Sequence, residues 1–329
     1  MTTGSISART ARRWQAIDPL LPVPAPGSPG CGADLVVAGP DGEPAAIGTC
    51  EHWEGVPGSL DLCWGAARRF QLTTQIAGPD VTTALDRMLS LWRDHLARVP
   101  GTGTQDSSAV VTWPSRDIDG VKPLIRHGLI PLTVVAVRKA AGPADAPPPQ
   151  AVGDSRRAAR PPAVHGGVKI RRAGAADIAD VVRLGLELIR FDAHFDCVFE
   201  RPGAADALRR YTAPLLDAPE PWTWLAGRDG NVVGMLSAEP PEDARWIAPM
   251  VSVAPVAYLM QMIISPAQRG SGLGAAMVAE AHGEMEAAGV AAVLLHYGQH
   301  NPLSAPFWSR QGYRPLWTSW EVRPARAIR

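Results

Sequence analysis

The stretch Gln268-Arg269-Gly270-Ser271-Gly272-Leu273-Gly274 follows an apolar run, Tyr258 to Ile264, and opens a pattern typical of a helix. Its alternating glycines let the backbone pass close to a ligand without obstruction by side chains. The amides that follow belong to a helix start, where unpaired N–H groups and the positive end of the dipole attract an anion. A strand, a glycine-rich turn and a helix in this order predict a pyrophosphate site.

Two common nucleotide motifs do not fit this stretch. The dinucleotide fingerprint requires the spacing G-x-G-x-x-G and an acidic residue about twenty positions later. Here the spacing is G-x-G-x-G, and no carboxylate lies near position 290. The P-loop requires a Lys-Ser/Thr pair after the glycines, which is also missing. Since a lone glycine-rich turn is often only a turn, the flanking sequence must decide.

The flanking sequence carries a family resemblance. The spacing Gln/Arg-x-x-Gly-x-Gly after a predicted strand resembles the acyl-CoA signature of the GNAT N-acetyltransferase superfamily. Downstream, a strand is predicted over 290–297 and a short helix over 304–311. The residues similar to the family's second motif are Asn301, Ser304, Phe307-Trp308 and Gly312-Tyr313. Two motifs in this order and at this separation make the resemblance specific.

The resemblance extends upstream and implies a mixed α/β fold. Strands are predicted over 168–173, 222–226 and 232–238, the last two joined by a tight turn at Asp229-Gly230. The similar region therefore runs from about 168 to 323, the usual size of one domain. A chain of 329 residues has room for a second domain.

The part before this region resembles it. Arg126-His127-Gly128-Leu129-Ile130-Pro131-Leu132 matches Arg310-Gln311-Gly312-Tyr313-Arg314-Pro315-Leu316, and the same register places Asp117 on Asn301. Self-similarity of this kind indicates an internal duplication. We therefore expect tandem GNAT-like domains: residues 1–139 a degenerate copy, 140–167 a Pro/Ala/Arg-rich linker, and 168–329 the N-acetyltransferase domain.

The degenerate copy lacks the pyrophosphate turn. After the predicted strand 70–76 the chain reads Ala77-Gly78-Pro79-Asp80, and a helix begins at Val81. Pro79 removes an N–H donor, and Asp80 repels phosphate and is expected to cap the helix instead. We expect this half to bind no CoA and to shape the acceptor cleft of the other half.

The resemblance implies how acetyl-CoA is held as co-substrate. In this superfamily a bulge separates the fourth strand from the fifth, and pantetheine lies in the gap. By alignment, the amides that face it belong to Met262, Ile263 and Ile264, and one near Met262 stabilises the oxyanion. Asn301 and Ser304 are expected to hydrogen-bond the pantetheine, and Phe307 to lie along it. The pyrophosphate is expected on Gln268, Arg269, Gly270, Ser271, Gly272, Leu273 and Gly274.

The sequence defines the general acid and the general base of the expected reaction less well. A small-molecule primary amine is expected to attack directly in a ternary complex. Where family members often have a tyrosine acid this chain has Trp308, so Tyr297, Tyr313 and, more weakly, Ser304 are the replacements. Glu239 and His296 are the candidate bases. The candidates at the acceptor site are Asp192, His194 and Asp196, whose alternative interpretation is an acidic surface loop. His282 is expected to face solvent.

The composition of the chain excludes some classes of binding partner. With 32 basic and 32 acidic residues, no general attraction to nucleic acid or an anionic membrane is indicated. The cysteines Cys31, Cys50, Cys63 and Cys197 lack metal-site spacing, so no metal is expected. We expect a cytoplasmic enzyme, monomeric or homodimeric. The alternatives are O- or S-acyl transfer, a longer acyl chain, or a non-catalytic CoA-binding sensor.

Overall fold

The computed structural model describes residues 3–24, 33–39, 42–140 and 163–329, so most of the predicted linker lies outside the described residues. Seven α-helices are formed in these ranges: α1 (Thr3–Ile17), α2 (Val81–Leu96), α3 (Val121–Arg126), α4 (Ile178–Asp192), α5 (Ala204–Leu216), α6 (Leu273–Ala287) and α7 (Ser304–Arg310). The strands are β1 (Ala33–Ala38), β2 (Pro44–Glu54), β3 (Arg68–Ile76), β4 (Ser107–Pro114), β5 (Ile130–Lys139), β6 (Ala163–His165), β7 (Val168–Arg172), β8 (Thr223–Arg228), β9 (Asn231–Glu239), β10 (Val256–Ile264), β11 (Ala292–Gly298) and β12 (Arg314–Val322).

All twelve strands belong to one mixed sheet, in the order β1-β2-β3-β4-β12-β5-β11-β10-β9-β8-β7-β6. Most neighbours are antiparallel. The exceptions are β3 with β4 and β10 with β11, which are parallel and are each joined through a helix, α2 or α6. The mixed α/β fold expected from the sequence is confirmed, and the order of strands and α-helices from β1 to β5 repeats from β8 to β12.

The last strand of each half lies in the other half. β5 belongs to the amino-terminal half but pairs with β11, with Ala292 opposite Lys139 and Gly298 opposite Thr133. β12 pairs with β4 and then with β5, which closes the centre of the sheet. Because neighbours cover β5 on both edges and helices cover its faces, Val134 to Val137 form a continuous buried run.

Local sequence signals act as predicted. Asp80 caps α2, since its Oδ1 accepts a hydrogen bond of 2.9 Å from the Thr83 N–H. Asp229 and Gly230 both have positive φ, 50° and 79°, as the tight turn between β8 and β9 requires. The inner face of α6 is buried through Leu273, Met277, Ala281 and Met285. That helix packs on one side of the sheet, and α4 packs on the other.

The strand exchange makes the two halves one folding unit, which a core substitution tests. Leu85 of α2 is fully buried in the amino-terminal core. Leu85→Ala should lower the free energy of unfolding by about 2–5 kcal/mol because it leaves a cavity. We expect hydrogen exchange at α6, in the other half, to report the same lowered urea midpoint as circular dichroism of the whole chain.

Leu91→Ala provides the matched control, since Leu91 lies on the same helix with 39% of its surface exposed. It should change stability by only about 0.5 kcal/mol. An α6 that kept its wild-type midpoint in Leu85→Ala would contradict coupling through the exchanged strands.

Candidate functional site

The site begins where β10 leaves β11. The two strands pair from Val256 with Ala292 to Leu259 with Leu295, and no further. Immediately after this point the register of β10 against β9 shifts between Leu259 and Gln261, which marks a β-bulge. The bulge turns the rest of β10 away and leaves it a free edge. The gap opens into a cleft of about 1800 Å³.

Two of the three predicted amides face this gap. Ser265 N–H donates to Val233 O at 2.8 Å, and hydrogen-bonded pairs alternate along an antiparallel ladder. Ile263, opposite Met235, therefore bonds to β9, whereas the N–H groups of Met262 and Ile264 point to the opposite edge. The prediction for the Ile263 amide is wrong because strand geometry alternates and the prediction treated consecutive residues alike.

The glycine-rich turn adopts the conformation of an anion cradle. Gly270 and Gly272 have φ of 78° and 84°, and Gly272 is the N-cap of α6. The first helical bond is donated by Ala276 to Gly272 O, so the amides of Gly274 and Ala275 have no intrahelical partner. Both residues line the cleft. The turn therefore presents free N–H groups at the positive end of a fifteen-residue helix.

The other predicted cradle residues have distinct roles. Arg269 donates from Nε to Ile264 O at 3.1 Å, and its guanidinium lies 4.9 Å from the Phe191 ring. Gln268 lines the cleft and receives a hydrogen bond from Arg228. Ser271 and Leu273 are absent from the cleft wall. Ser271 instead braces the turn by donating to Gln268 O at 2.7 Å, and the Leu273 side chain is buried in the core.

The predicted pantetheine contacts Asn301, Ser304 and Phe307 all line the cleft. Ser304 and Phe307 of α7 face it, and a Cβ on Gly274 would come within 3.3 Å of the Phe307 ring. Asn301 also lines the cleft, but its Nδ2 donates to Asp192 and its Oδ1 accepts from Leu303 N–H, each at 3.0 Å. One N–H of its amide and one lone pair of its oxygen are therefore used within the protein, which leaves a second N–H and a second lone pair for the expected hydrogen bond to pantetheine.

Glu239 lies at the far side of the gap in an aromatic setting. It is buried, and it accepts hydrogen bonds from the Tyr211 hydroxyl and from Trp246 Nε1, the latter at 2.8 Å. Burial raises the pKa of Tyr211 above its ordinary range, and the hydrogen bond to Glu239 and the charge of that carboxylate add to the shift. The Trp246 ring is 55% exposed and forms part of the cleft wall. Sequence reasoning placed Glu239 here but missed Tyr211, which no local motif marks.

His296 and Tyr297 both reach the cleft from the end of β11. The His296 ring stacks on Trp246 with centroids 6.2 Å apart, and its Nδ1 lies 3.0 Å from the Tyr258 hydroxyl. The ring keeps accessible surface in the open cleft, but the surrounding walls desolvate it and lower its pKa to about 4. Burial raises the pKa of Tyr297, so its phenol keeps its proton.

The structure corrects the predictions for Tyr313 and His282. Tyr313 is buried outside the cleft, with its hydroxyl 2.8 Å from His282 Nε2. It cannot serve as the acid proposed from its position after Gly312. His282 is likewise buried and does not face solvent as predicted; burial lowers its pKa to about 3. The two polar groups satisfy each other inside the core, which a helical pattern alone could not indicate. Trp308 does line the cleft.

Of the acidic loop residues, only Asp192 lines the cleft. Desolvation raises its pKa to about 6, although the hydrogen bond from Asn301 opposes this shift. His194 is exposed and bonds to Arg190 O, and Asp196 is exposed with φ of 63°. Gln261 is a residue that sequence reasoning missed. It follows the bulge, is 4% exposed, and its amide nitrogen has no hydrogen-bond partner among the described residues.

The amino-terminal half contributes a wall of this cleft but has no open gap of its own. β3 and β4 also stop pairing, after Leu72 and Val111. There, however, α1 packs against the end of β3: Ser7 Oγ donates to Gln75 and Thr10 Oγ1 to Ile76 O. The corresponding polar residues of β3 are buried. That this half binds no CoA stays a prediction.

A comparison with models of known protein families gives a match over the region that forms this site. The model of the acetyltransferase (GNAT) family matches residues 189–313. Residues 189–313 form a GNAT-family acetyltransferase domain. The matched region runs from the end of α4 to the residue before β12 and contains the bulge, the glycine turn and α7. A comparison with curated proteins found no match.

Solved structures extend the fold over the whole chain. A GCN5-related N-acetyltransferase from Sphaerobacter thermophilus is 15% identical, with 99% of this chain and 94% of that chain covered at a TM-score of 0.54. A GNAT-family acetyltransferase from Colwellia psychrerythraea aligns at 10% identity over 95% of each chain, with a TM-score of 0.49. The first likeness places the amino-terminal half within the same fold. In the described ranges, no helix is long and apolar enough to cross a membrane.

The environment of Asp192 predicts a pH-dependent stability. Its pKa is raised, so the folded state keeps the proton to higher pH than the unfolded state does. The folded protein therefore loses stability as pH rises from the ordinary pKa of 3.8 through about 6. Asp192→Asn removes this titration, so its stability advantage over wild type should grow across that window and then level off.

Urea unfolding at a series of pH values measures this difference. Asp229→Asn, at a side chain that is 91% exposed, controls for the exchange of a carboxylate for an amide. A difference between Asp192→Asn and wild type that stayed constant with pH would refute the assignment.

Proposed function

We propose that this protein transfers an acetyl group from acetyl-CoA to an amine of a small molecule, by direct attack in a ternary complex. The observation that carries the proposal is the continuity of two features. The free edge of β10, with the Met262 and Ile264 amides, leads directly into the glycine turn that opens α6. A strand edge suits the amide groups of pantetheine, and the helix start suits its pyrophosphate.

The donor end of the cleft has the matching charge. Arg269 and Arg310 line it, and Gln268 is held beside Arg228. The Phe307 ring covers the turn next to Gly274 and can lie along the pantetheine arm. In this orientation the thioester reaches the bulge, where the Met262 N–H can donate to the carbonyl oxygen as it gains negative charge.

The acceptor approaches from the Glu239 side. The carboxylate of Glu239 attracts an ammonium group, and Tyr211 and Trp246 fix its orientation. His296 is neutral near pH 7 because its pKa is lowered to about 4, so its free ring nitrogen can take the amine proton. As the C–N bond forms and the C–S bond breaks, Tyr297 can protonate the departing thiolate.

The cradle is tested at Gly272, whose positive φ asparagine and aspartate tolerate better than most residues. Gly272→Asp places a carboxylate where the pyrophosphate is expected and should weaken acetyl-CoA binding by about two orders of magnitude through repulsion. Gly272→Asn has the same shape without the charge and should lose much less. Isothermal titration calorimetry measures both.

Gly283→Asp is the control, because Gly283 lies on the exposed face of the same helix with open space around it. It should bind acetyl-CoA as wild type does. Wild-type protein that bound no acetyl-CoA would refute the proposal. Binding without thiol release from any amine would favour a CoA-binding sensor instead.

The three acceptor-side residues give a separate kinetic prediction. Glu239→Gln, His296→Gln and Tyr297→Phe should each lower kcat/KM for the amine by about 10²–10⁴, the usual range for loss of an acid or base. Acetyl-CoA affinity should be retained, since none of these residues belongs to the cradle. Thiol release and calorimetry together separate the two effects.

Tyr313→Phe is the matched control for Tyr297→Phe. Its hydroxyl bonds to His282 in the core, away from the cleft, so the substitution should reduce stability and leave kcat/KM nearly unchanged. Equal kinetic losses in the two tyrosine variants would argue against a direct role for Tyr297.

A further inference from the structure

A trough of short side chains crosses the sheet from the reactive gap into the amino-terminal half. Gly298 of β11 lies opposite Thr133 of β5, Thr133 opposite Ser319 of β12, and Ser319 opposite Thr112 of β4. Residues directly opposite one another share a face of the sheet. All four line the cleft, and the Thr112 and Ser319 hydroxyls are 3.4 Å apart. One glycine and three hydroxyl side chains thus form a low floor.

The trough lies on the face that α2 does not cover. Val111 and Trp113 point into the core beneath α2, so Val110 and Thr112, which alternate with them, face the cleft. Gln71 of β3 and Glu51 of β2, opposite each other in register, continue the wall. With about 4.8 Å between strands, Ser319 is about 10 Å from β11 and Glu51 about 24 Å. This length far exceeds that of a simple amine.

Charge separates along the cleft. At the donor end the lining cations are Arg269 and Arg310. On the acceptor side the lining carboxylates are Glu51, Asp61, Glu239, Asp243 and Glu321. Two arginines, Arg69 and Arg210, also line this side, and Glu321 is paired with Arg323 at 2.6 Å, so the five carboxylates outnumber three arginines. The excess of carboxylates favours a cation, and hydroxyl oxygens on the floor can accept its N–H groups.

We propose that the trough binds the distal part of an elongated acceptor that carries a second positive charge, an oligoamine. This rests on the proposed function only in placing the reacting nitrogen in the gap where β10 leaves β11. A second nitrogen about 10 Å further along the chain lies over Ser319 and Thr112, on the way to Glu51. The exchanged strand β12 therefore supplies part of the acceptor site, and the degenerate half supplies the rest.

The test compares n-butylamine, putrescine, spermidine and spermine, each titrated calorimetrically into the full chain with CoA present. Affinity should rise along this series, with about a tenfold gain from butylamine to spermidine or spermine. Ser319→Leu fills the floor and should remove that gain while leaving butylamine binding within about twofold. Glu51→Gln should weaken spermine alone, and Glu54→Gln, on the same strand but paired with Arg68 outside the cleft, should have no effect.

The outcomes separate this proposal from the reaction. Length-dependent binding that Ser319→Leu abolishes, without thiol release, would support the trough and contradict the acetyl transfer. Acetylation of butylamine and spermine with equal affinity would contradict the trough and leave the transfer intact. If Ser319→Leu fails to fold, Thr112→Val removes a floor hydroxyl at nearly constant volume and should weaken spermine selectively. An ethylene glycol chain of similar length with a single terminal amine lacks the second positive charge. If it bound as well as spermine, it would refute the role of that charge.

Discussion

The separation of β10 from β11 is the constraint on which the site depends. A parallel pair would normally continue to exchange hydrogen bonds, and each lost bond exposes polar groups that need another partner. Here the bulge after Leu259 ends the pairing and leaves N–H groups at Met262 and Ile264 for a ligand. Every other element of the site is placed by this divergence: α6 starts at the end of β10, α7 follows β11, and Glu239 ends the strand on the opposite side of β10.

The same divergence has a different outcome in the other half. β3 and β4 also part, but α1 packs against the open end and buries Gln75 and Ile76. The turn after β3 has an aspartate cap instead of a second glycine. Both differences lie at the positions where the carboxyl-terminal half offers a free strand edge and a free helix start. What remains is a sheet surface, which the active half uses as one wall of its cleft.

The sequence predicted well what depends on local chemistry. The glycine turn, the Asp80 cap, the Asp229-Gly230 turn and the buried face of α6 follow from backbone conformation and periodicity, and all are observed. Features that depend on which side of a strand or helix a residue faces were harder to predict. Ile263 was grouped with its neighbours although strand hydrogen bonds alternate, and the pairing of His282 with Tyr313 joins positions thirty-one residues apart. Tyr211 was missed for the same reason, since only the folded chain brings it to Glu239. The exchange of β5 and β12 has no local signal at all.

That exchange also explains why a half without a ligand turn persists. If the amino-terminal half were deleted, β11 would lose one neighbour and β12 both, and long edges able to pair with other chains would be exposed. Conversely, β4 would lose one neighbour and β5 both if the carboxyl-terminal half were removed. Substitutions in the turns and pockets of one half leave the edges of the other covered, whereas separation of the halves does not. The smallest unit that keeps every central strand paired is therefore the two halves together.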